Sequence, residues 1–160
     1  MGQMYASWDQ GSAMKEVKVA AFRAEDRPEL EAFLQMQKLP TVDLNSKMLA
    51  DFLVARREGI LVGTAGLERH TKMGLLRSVA VDSSLRGVGL GRRLVMSMED
   101  RARGRGVKQM FLLTDGAEQF FLGLDYRPLD RLDAPHGIRH TQQFRDLCPA
   151  SSTFMTKILK

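Results

Sequence analysis

The chain has 160 residues, of which 44% are hydrophobic and 27% are charged, and this balance predicts a single globular domain with a substantial core. Its formal net charge of +5 favours anionic partners such as nucleic acid, membrane surfaces or phosphorylated small molecules. A single cysteine excludes an intramolecular disulfide, no apolar run is long enough to span a membrane, and residues 1–14 lack the pattern of a secretory signal. We therefore expect a cytoplasmic protein with one domain at residues 15–160, preceded by a flexible arm or non-native remnant at residues 1–14.

The first half of the chain predicts a strand, two helices and then a strand meander. Period-2 alternation of apolar residues indicates the strands, and turn residues such as Glu58-Gly59 separate them closely enough to make the pairing antiparallel. A proline at position 40 ends the first helix. The strands are predicted at residues 16–22, 51–57, 60–68 and 75–81, and the helices at residues 26–39 and 43–49.

The stretch from residue 75 to residue 103 organises the rest of the chain. Its strand ends at Val81, a polar turn follows, and a glycine-dense segment at residues 86–91 leads into an amphipathic helix. The first amides of a helix have no intrahelical partner, and glycine has no Cβ to keep an anion away from the backbone. The segment therefore predicts a main-chain phosphate site, to which Arg86 and Arg92 add positive charge.

The second half predicts alternating strands and helices. The central helix is long enough to connect the strand at residues 75–81 to the next strand in parallel. Together with the antiparallel meander this indicates a mixed sheet of the α/β class. The strands are predicted at residues 107–114, near residue 128 and at residues 153–159, and the helices at residues 115–124 and 134–147.

The sequence RSVAVD at residues 77–82, followed by R-x-x-G-x-G at residues 86–91, resembles motif A of the GNAT acetyltransferases. The dinucleotide pattern does not match, because Arg92 stands where its last glycine is required, and the Walker A sequence is absent. The resemblance extends from Glu16 to the end of the chain. It implies the GNAT acyl-CoA N-acyltransferase fold, with antiparallel N-terminal strands and a parallel central strand–helix–strand unit, and acetyl-CoA as co-substrate. The implied CoA-binding residues are Val79, Ala80, Val81, Arg86, Gly87, Val88, Gly89, Leu90, Gly91, Arg92 and Phe121.

The resemblance also implies how the thioester is activated. In this family the central strand and the strand after it splay apart, and an amide such as that of Val79 or Val81 polarises the thioester carbonyl. The departing thiolate needs a proton, which the family often takes from a tyrosine, but Phe121 stands at that position and has no hydroxyl. Ser78 or water is the remaining candidate donor. Glu68 is the candidate general base, and a surface carboxylate is the alternative interpretation.

Arg77 is a full charge inside an otherwise apolar strand, where burial without a partner is costly. Two interpretations stay open: a salt bridge to Glu68, or a guanidinium that grips an anionic group of the acceptor. The tail at residues 134–151 resembles a GNAT branch encoded with arsenic-resistance genes, whose relatives acetylate amino-acid-like toxins such as arsinothricin or phosphinothricin. That resemblance implies Arg77, Arg139 and Gln143 as substrate contacts, and a packing helix is the alternative for the tail.

Other chemically active residues give weaker signals. Cys148 is a candidate thiolate ligand for arsenic, although a buried lone cysteine more often only packs. The three histidines lack metal-ligand spacing, so we expect no metal. The sequence RARGRG at residues 101–106 is short and lies at a helix end, where cations suit the dipole, so we expect no nucleic-acid partner.

The sequence therefore predicts an acetyl-CoA-dependent N-acetyltransferase acting on the amine of a small, anionic amino-acid-like acceptor, with an arsenic or phosphinic toxin as one candidate. We expect a monomer or homodimer with a small-molecule amine substrate and no membrane partner. Three alternatives stay open: an acetyltransferase for another small amine or a protein N-terminus, a non-catalytic acyl-CoA-binding sensor, and a basic nucleic-acid-binding module.

Overall fold

A seven-stranded mixed sheet runs through the computed structural model, which describes residues 16–160. The order across the sheet is β1-β2-β3-β4-β5-β7-β6, and β4 with β5 is the parallel pair among antiparallel ones. The predicted arm at residues 1–14 lies outside the described residues. The strands are β1 (Val17–Ala21), β2 (Leu53–Arg57), β3 (Ile60–His70), β4 (Met73–Val81), β5 (Gln109–Thr114), β6 (Arg127–Pro128) and β7 (Thr153–Ile158).

Five α-helices connect these strands in the described part of the chain, and a π-helical turn at Gln143–Leu147 precedes β7. Each long helix buries apolar residues at helical spacing: Leu30 and Leu34 in the first, Leu94 and Met98 in the third, all at 0% exposure. Across residues 16–160, no helix combines the length and apolarity needed to cross a bilayer. The helices are α1 (Arg27–Met36), α2 (Ser46–Leu49), α3 (Leu90–Gly104), α4 (Glu118–Leu122) and α5 (His136–Arg139).

The centre of the sheet opens into a wedge between β4 and β5. The two strands pair at Met73↔Gln109, Gly74↔Met110 and Leu75↔Phe111, and the ladder described for them stops there, although both strands continue. Helix α3 connects them and packs its apolar face into the main core cluster. The predicted mixed fold and the predicted splaying of the central strands are both confirmed.

A bulge in β4 lies beside this wedge. Gly66 of β3 pairs with Arg77, and Thr64 pairs with Ala80, so that two residues of β4 face one residue of β3. The extra residue is accommodated because Ser78 adopts a φ of +54°, in the left-handed region that non-glycine residues rarely occupy. The ladder to β3 thus skips Ser78 and the residue after it.

Two predicted helices differ from the structure. The tail is not one helix over residues 134–147, because Thr141 interrupts it: its hydroxyl donates to the Ile138 carbonyl oxygen at 2.8 Å and accepts from the Phe144 amide at 3.2 Å. The short helix expected from residue 43 begins only at Ser46, because Asn45 is its N-cap and accepts from the amide three residues later. The other elements differ from prediction at their ends.

Candidate active site

A cavity of about 980 Å³ occupies the wedge and extends from the glycine-rich loop to the tail. Both splayed strands contribute its walls, with residues of the α1–α2 loop at its rim. Most of the residues expected to bind CoA or the acceptor lie on these walls. The predicted residues that line it are Arg77, Ser78, Val79, Ala80, Val81, Arg86, Gly87, Gly89, Leu90, Gly91, Arg92, Phe121 and Gln143.

At the mouth of the cavity the loop is shaped for an anion. Gly87 and Gly89 have φ values of +81° and +90°, so glycine is required there by backbone conformation. Gly89 is the N-cap of α3. The first amides of this helix lack intrahelical partners and lie at the positive end of the helix dipole. The donor set therefore fits the pyrophosphate of CoA. Arg86 is exposed and donates to Gln37 Oε1 at 2.8 Å, so it can turn to a phosphate at small cost.

The middle of the cavity suits an extended amide-containing arm. Beyond Leu75 the main chain of β4 has no described ladder to β5, and the bulge at Ser78 interrupts the ladder to β3. Peptide groups near the bulge are thus available to a ligand that bonds as a strand would, while Val79 and Leu112 supply apolar walls. This is the arrangement that the pantetheine arm of CoA requires.

At the inner end Arg77 is completely buried and paired. Its guanidinium makes a two-point contact with Asp43, with Nη2–Oδ1 at 2.8 Å, and its Nη1 lies 3.4 Å from Glu68 Oε1. Its Nε donates to Ser78 Oγ at 3.2 Å, which ties the ion pair to the bulge. The salt bridge to Glu68 is confirmed as a secondary contact. The fork expected to grip an anionic acceptor is occupied by a carboxylate of the chain itself.

Three predicted site residues do not line the cavity. Glu68 lies behind Arg77, with its other oxygen 2.9 Å from His70 Nε2. Arg139 is on the surface, where it donates to the carbonyl oxygen of Leu132 at 2.8 Å. Val88 packs against the core cluster, so it supports the loop from behind.

Among residues 16–160, no aromatic side chain offers a hydroxyl to the cavity. Phe121 lies on the wall at 6% exposure and contacts Tyr126 edge-on, with ring centroids 5.7 Å apart. Tyr126 is a core residue, as expected, and its hydroxyl donates to Glu99 Oε2 at 2.9 Å. Burial, together with the neighbouring carboxylate, raises the pKa of Tyr126 well above its usual value.

Several residues of the site were not among the predicted contacts to CoA or to the acceptor. Lys38 and Pro40 come from the α1–α2 loop, and Asp43 from the same loop holds Arg77. Cys148 lies on the wall near the tail, and burial raises the pKa of its thiol. The signal that could have found Asp43 is the need of a buried arginine for a carboxylate, combined with a polar loop near the sheet.

Neither the metal nor the nucleic-acid alternative gains support from the described chain. No cluster of three or more histidine, cysteine or acidic side chains forms a metal site within residues 16–160. The arginines at the end of α3 are used internally: Arg101 donates to the Ala50 carbonyl oxygen, and Arg105 pairs with Asp51 at 2.9 Å.

Part of this chain is similar to known amino-acid acetyltransferases. An amino-acid acetyltransferase of Ralstonia nicotianae is 37% identical over 76 residues, which cover 46% of this chain and 17% of that protein. One of Pseudomonas syringae pv. syringae is 30% identical over 99 residues, covering 59% of this chain and 23% of that protein. The chain thus spans about a fifth of the length of these relatives.

Solved structures share the fold over nearly the whole chain. N-acetylglutamate synthase from Neisseria gonorrhoeae, complexed with coenzyme A and N-acetyl-glutamate, gives a TM-score of 0.77 at 20% identity, covering 90% of this chain and 35% of that one. Rv2747 from Mycobacterium tuberculosis, in complex with CoA and NLQ, gives 0.75 at 22% identity, covering 89% and 99%. The acetyltransferase (GNAT) family model, whose enzymes use acetyl-CoA as co-substrate, matches residues 13–123. This chain therefore belongs to the GNAT acetyltransferase family.

Proposed function

We propose that this protein transfers the acetyl group of acetyl-CoA to the amine of a small amino-acid-like acceptor, by direct attack of the neutral amine on the thioester. The observation that carries this proposal is the cavity itself, which joins a glycine-rich loop shaped for an anion, the part of β4 that has no described pairing to β5, and the buried, ion-paired Arg77 in one channel. CoA would lie along it with its pyrophosphate at Gly87–Gly91 and its thioester near the bulge.

In this arrangement the bulge supplies the electrostatic part of catalysis. A main-chain amide of Val79 or Val81 would donate to the thioester oxygen as negative charge develops on it. The contact from Arg77 Nε to Ser78 Oγ, backed by Asp43, holds the bulge in its strained conformation. Preorganised donors are effective because they do not reorganise during the reaction.

The acceptor amine is proposed to bind at the inner end of the cavity. Asp43 and Glu68 outnumber Arg77 there, so the cluster has a formal charge of −1, which favours an ammonium group arriving from solvent. A base role for Glu68 requires a water molecule between its carboxylate and the cavity. Ser78, which lines the cavity, is one candidate to protonate the thiolate.

We further propose that the acceptor carries an anionic group, and that arsenic- or phosphinic-acid amino acids are among the candidates. The relatives named as amino-acid acetyltransferases support the amino-acid part of this proposal. The resemblance of residues 134–151 to the arsenic-resistance branch supports the toxin part. Arg139 lies outside the cavity, so a contact with the acceptor requires its side chain to leave the Leu132 carbonyl oxygen. A cytoplasmic setting, where a lone cysteine stays reduced, completes it.

The test combines acetyl-CoA binding with thiol release. Calorimetry with acetyl-CoA should show binding, and addition of amines from a panel of amino acids, polyamines, N-terminal peptides and phosphinic or arsenic amino acids should release free CoA. Binding without release across the panel would instead support the acyl-CoA-binding sensor. Affinity for DNA or RNA that falls steeply with salt would support the nucleic-acid alternative.

A further inference from the structure

The proposed reaction requires a proton source for its leaving group. When the C–S bond of the thioester breaks, the CoA sulfur leaves as a thiolate and must be protonated. The position of the usual tyrosine holds Phe121, and the hydroxyl of Tyr126 is committed to Glu99 in the core. Within residues 16–160, the aromatic hydroxyl is therefore committed elsewhere, and the other groups on the cavity wall become the candidate donors.

Cys148 is on that wall, and it is the single cysteine of the chain. It ends the π-helical turn, where its amide donates to the Gln143 carbonyl oxygen at 3.2 Å. The thiol is close enough to the inner end of the cavity for the charges of Arg77 and Asp43 to act on it. Arg77 directly precedes the bulge at which the thioester is expected.

Gln143 gives an independent indication that a ligand binds beside this thiol. Its side chain lies on the same cavity wall and is only 7% exposed. Its Oε1 is buried and, among the described residues, has no hydrogen-bond partner. The same side chain lies close enough to the Cys148 thiol to act on the pKa of that thiol. Buried acceptors without partners are rare in native proteins, so an N–H of a bound molecule is expected there.

We propose that the Cys148 thiol donates the proton that converts the departing CoA thiolate to a thiol, while Gln143 Oε1 accepts a hydrogen bond from the acceptor amine. This inference rests on the proposed acetyltransferase function and adds the proton donor to it. The amine nitrogen forms the C–N bond, the C–S bond breaks, and the Cys148 proton passes to the CoA sulfur. The Cys148 thiolate then takes the surplus proton from the new amide nitrogen, which restores the thiol.

The electrostatic surroundings favour an acid over a nucleophile. Burial raises the pKa of the Cys148 thiol, and Asp43 raises it further, against the opposing effects of Arg77, Arg131 and the Gln143 side chain. The thiol is therefore protonated at neutral pH, and only the thiolate form attacks carbonyl carbon. Ser78 is a poorer donor, because an alcohol is a much weaker acid than a thiol.

Three variants and a pH profile test the inference, with free CoA measured by chromatography and the best amine of the panel as acceptor. Cys148→Ala should lower kcat about 100-fold or more, the range for loss of a general acid, with an unchanged Kd for acetyl-CoA that also reports correct folding. In the pH profile of kcat, the wild-type rate should fall at alkaline pH as Cys148 loses its proton. This alkaline limb should disappear in Cys148→Ser. Gln143→Leu should raise the acceptor KM more than it lowers kcat.

Several results would overturn the inference. One is a kcat of Cys148→Ala within threefold of the wild-type value. Another is acetylated Cys148 detected by mass spectrometry during turnover. A third is that the alkaline limb of the pH profile of kcat disappears in Ser78→Ala rather than in Cys148→Ser. Thiolate absorbance of the ligand-free protein reports Cys148 alone, with Cys148→Ser as blank, and should titrate above the ordinary value of about 8.5. A titration below 7 would refute the acid role without any acceptor. If wild type binds acetyl-CoA but acetylates no amine, the proposed function fails, and the inference falls with it.

Discussion

The buried ion pair between Arg77 and Asp43 allows a quantitative prediction about stability. The side chains of these residues are 0% and 4% exposed, and they come from β4 and from the α1–α2 loop. In Asp43→Ala the guanidinium stays buried with Glu68 as its nearest carboxylate, at 3.4 Å. Removal of one partner of a buried pair costs about 3–5 kcal/mol, and the remaining carboxylate places the expected loss near 3 kcal/mol.

Urea unfolding measures this loss directly, and thermal unfolding gives a second reading. At about 2–4 °C per kcal/mol for a chain of this size, Asp43→Ala should lower Tm by about 6–12 °C. The matched control is Asp100→Ala, which removes an 81% exposed carboxylate paired with Arg103 and should change stability by less than about 0.5 kcal/mol.

A double variant separates lost pairing from lost packing. Asp43→Leu combined with Arg77→Met replaces the ion pair with apolar side chains and should recover much of the stability, since such replacements are often neutral. It should still impair turnover, because the contact to Ser78 is lost. If the free energy of unfolding of Asp43→Ala lies within about 0.5 kcal/mol of the wild-type value, the spread expected for surface changes, then this ion pair does not stabilise the fold as described.

Three further predictions concern other parts of the molecule. Gly89→Ala should weaken CoA binding at least tenfold in calorimetry, because a φ of +90° strains any Cβ-bearing residue, whereas Gly104→Ala, at a helical position with open space, should bind normally. Tyr126→Phe should lower the free energy of unfolding in urea by about 1.5–3 kcal/mol, the usual contribution of a hydrogen bond to a charged group, here the buried Glu99. The pKa of Asp82 is lowered because its carboxylate accepts hydrogen bonds from the hydroxyl and the amide of Ser84. The stability that these bonds contribute is therefore fully present above the ordinary pKa of an aspartate and is lost as the pH falls through the lowered pKa. Asp82→Asn should therefore show a smaller loss of stability than wild type between pH 6 and pH 3.

The central unit of the fold was predictable because its signals are local. Alternating valines at 79 and 81 and glycines at 87 and 89 specify a strand, a left-handed turn and a helix start from neighbours in the sequence. The structure of the tail was not predictable from such signals. Its apolar residues keep helical spacing past Thr141, but the hydrogen bonds of the Thr141 hydroxyl end the helix there.

The candidate site was predictable only where it coincides with that local unit. The need for a partner of Arg77 was evident, but its main partner lies 34 residues away, in a loop whose path the sequence does not specify. The bulge at Ser78 likewise depends on register between strands, and no residue type announces it. Gln143 and Cys148 meet through a π-helical turn that helical periodicity does not predict.

The short ladder between β4 and β5 has a mechanical consequence. The two halves of the sheet are joined there by the pairs at residues 73–75 and 109–111, and the remaining edges face each other across a gap. An occupant that bonds both edges acts as a substitute strand and makes the sheet continuous. Cofactor binding should then appear as slowed amide hydrogen exchange along residues 76–81 and 112–114, so the protein would be assembled in full only while its co-substrate is present.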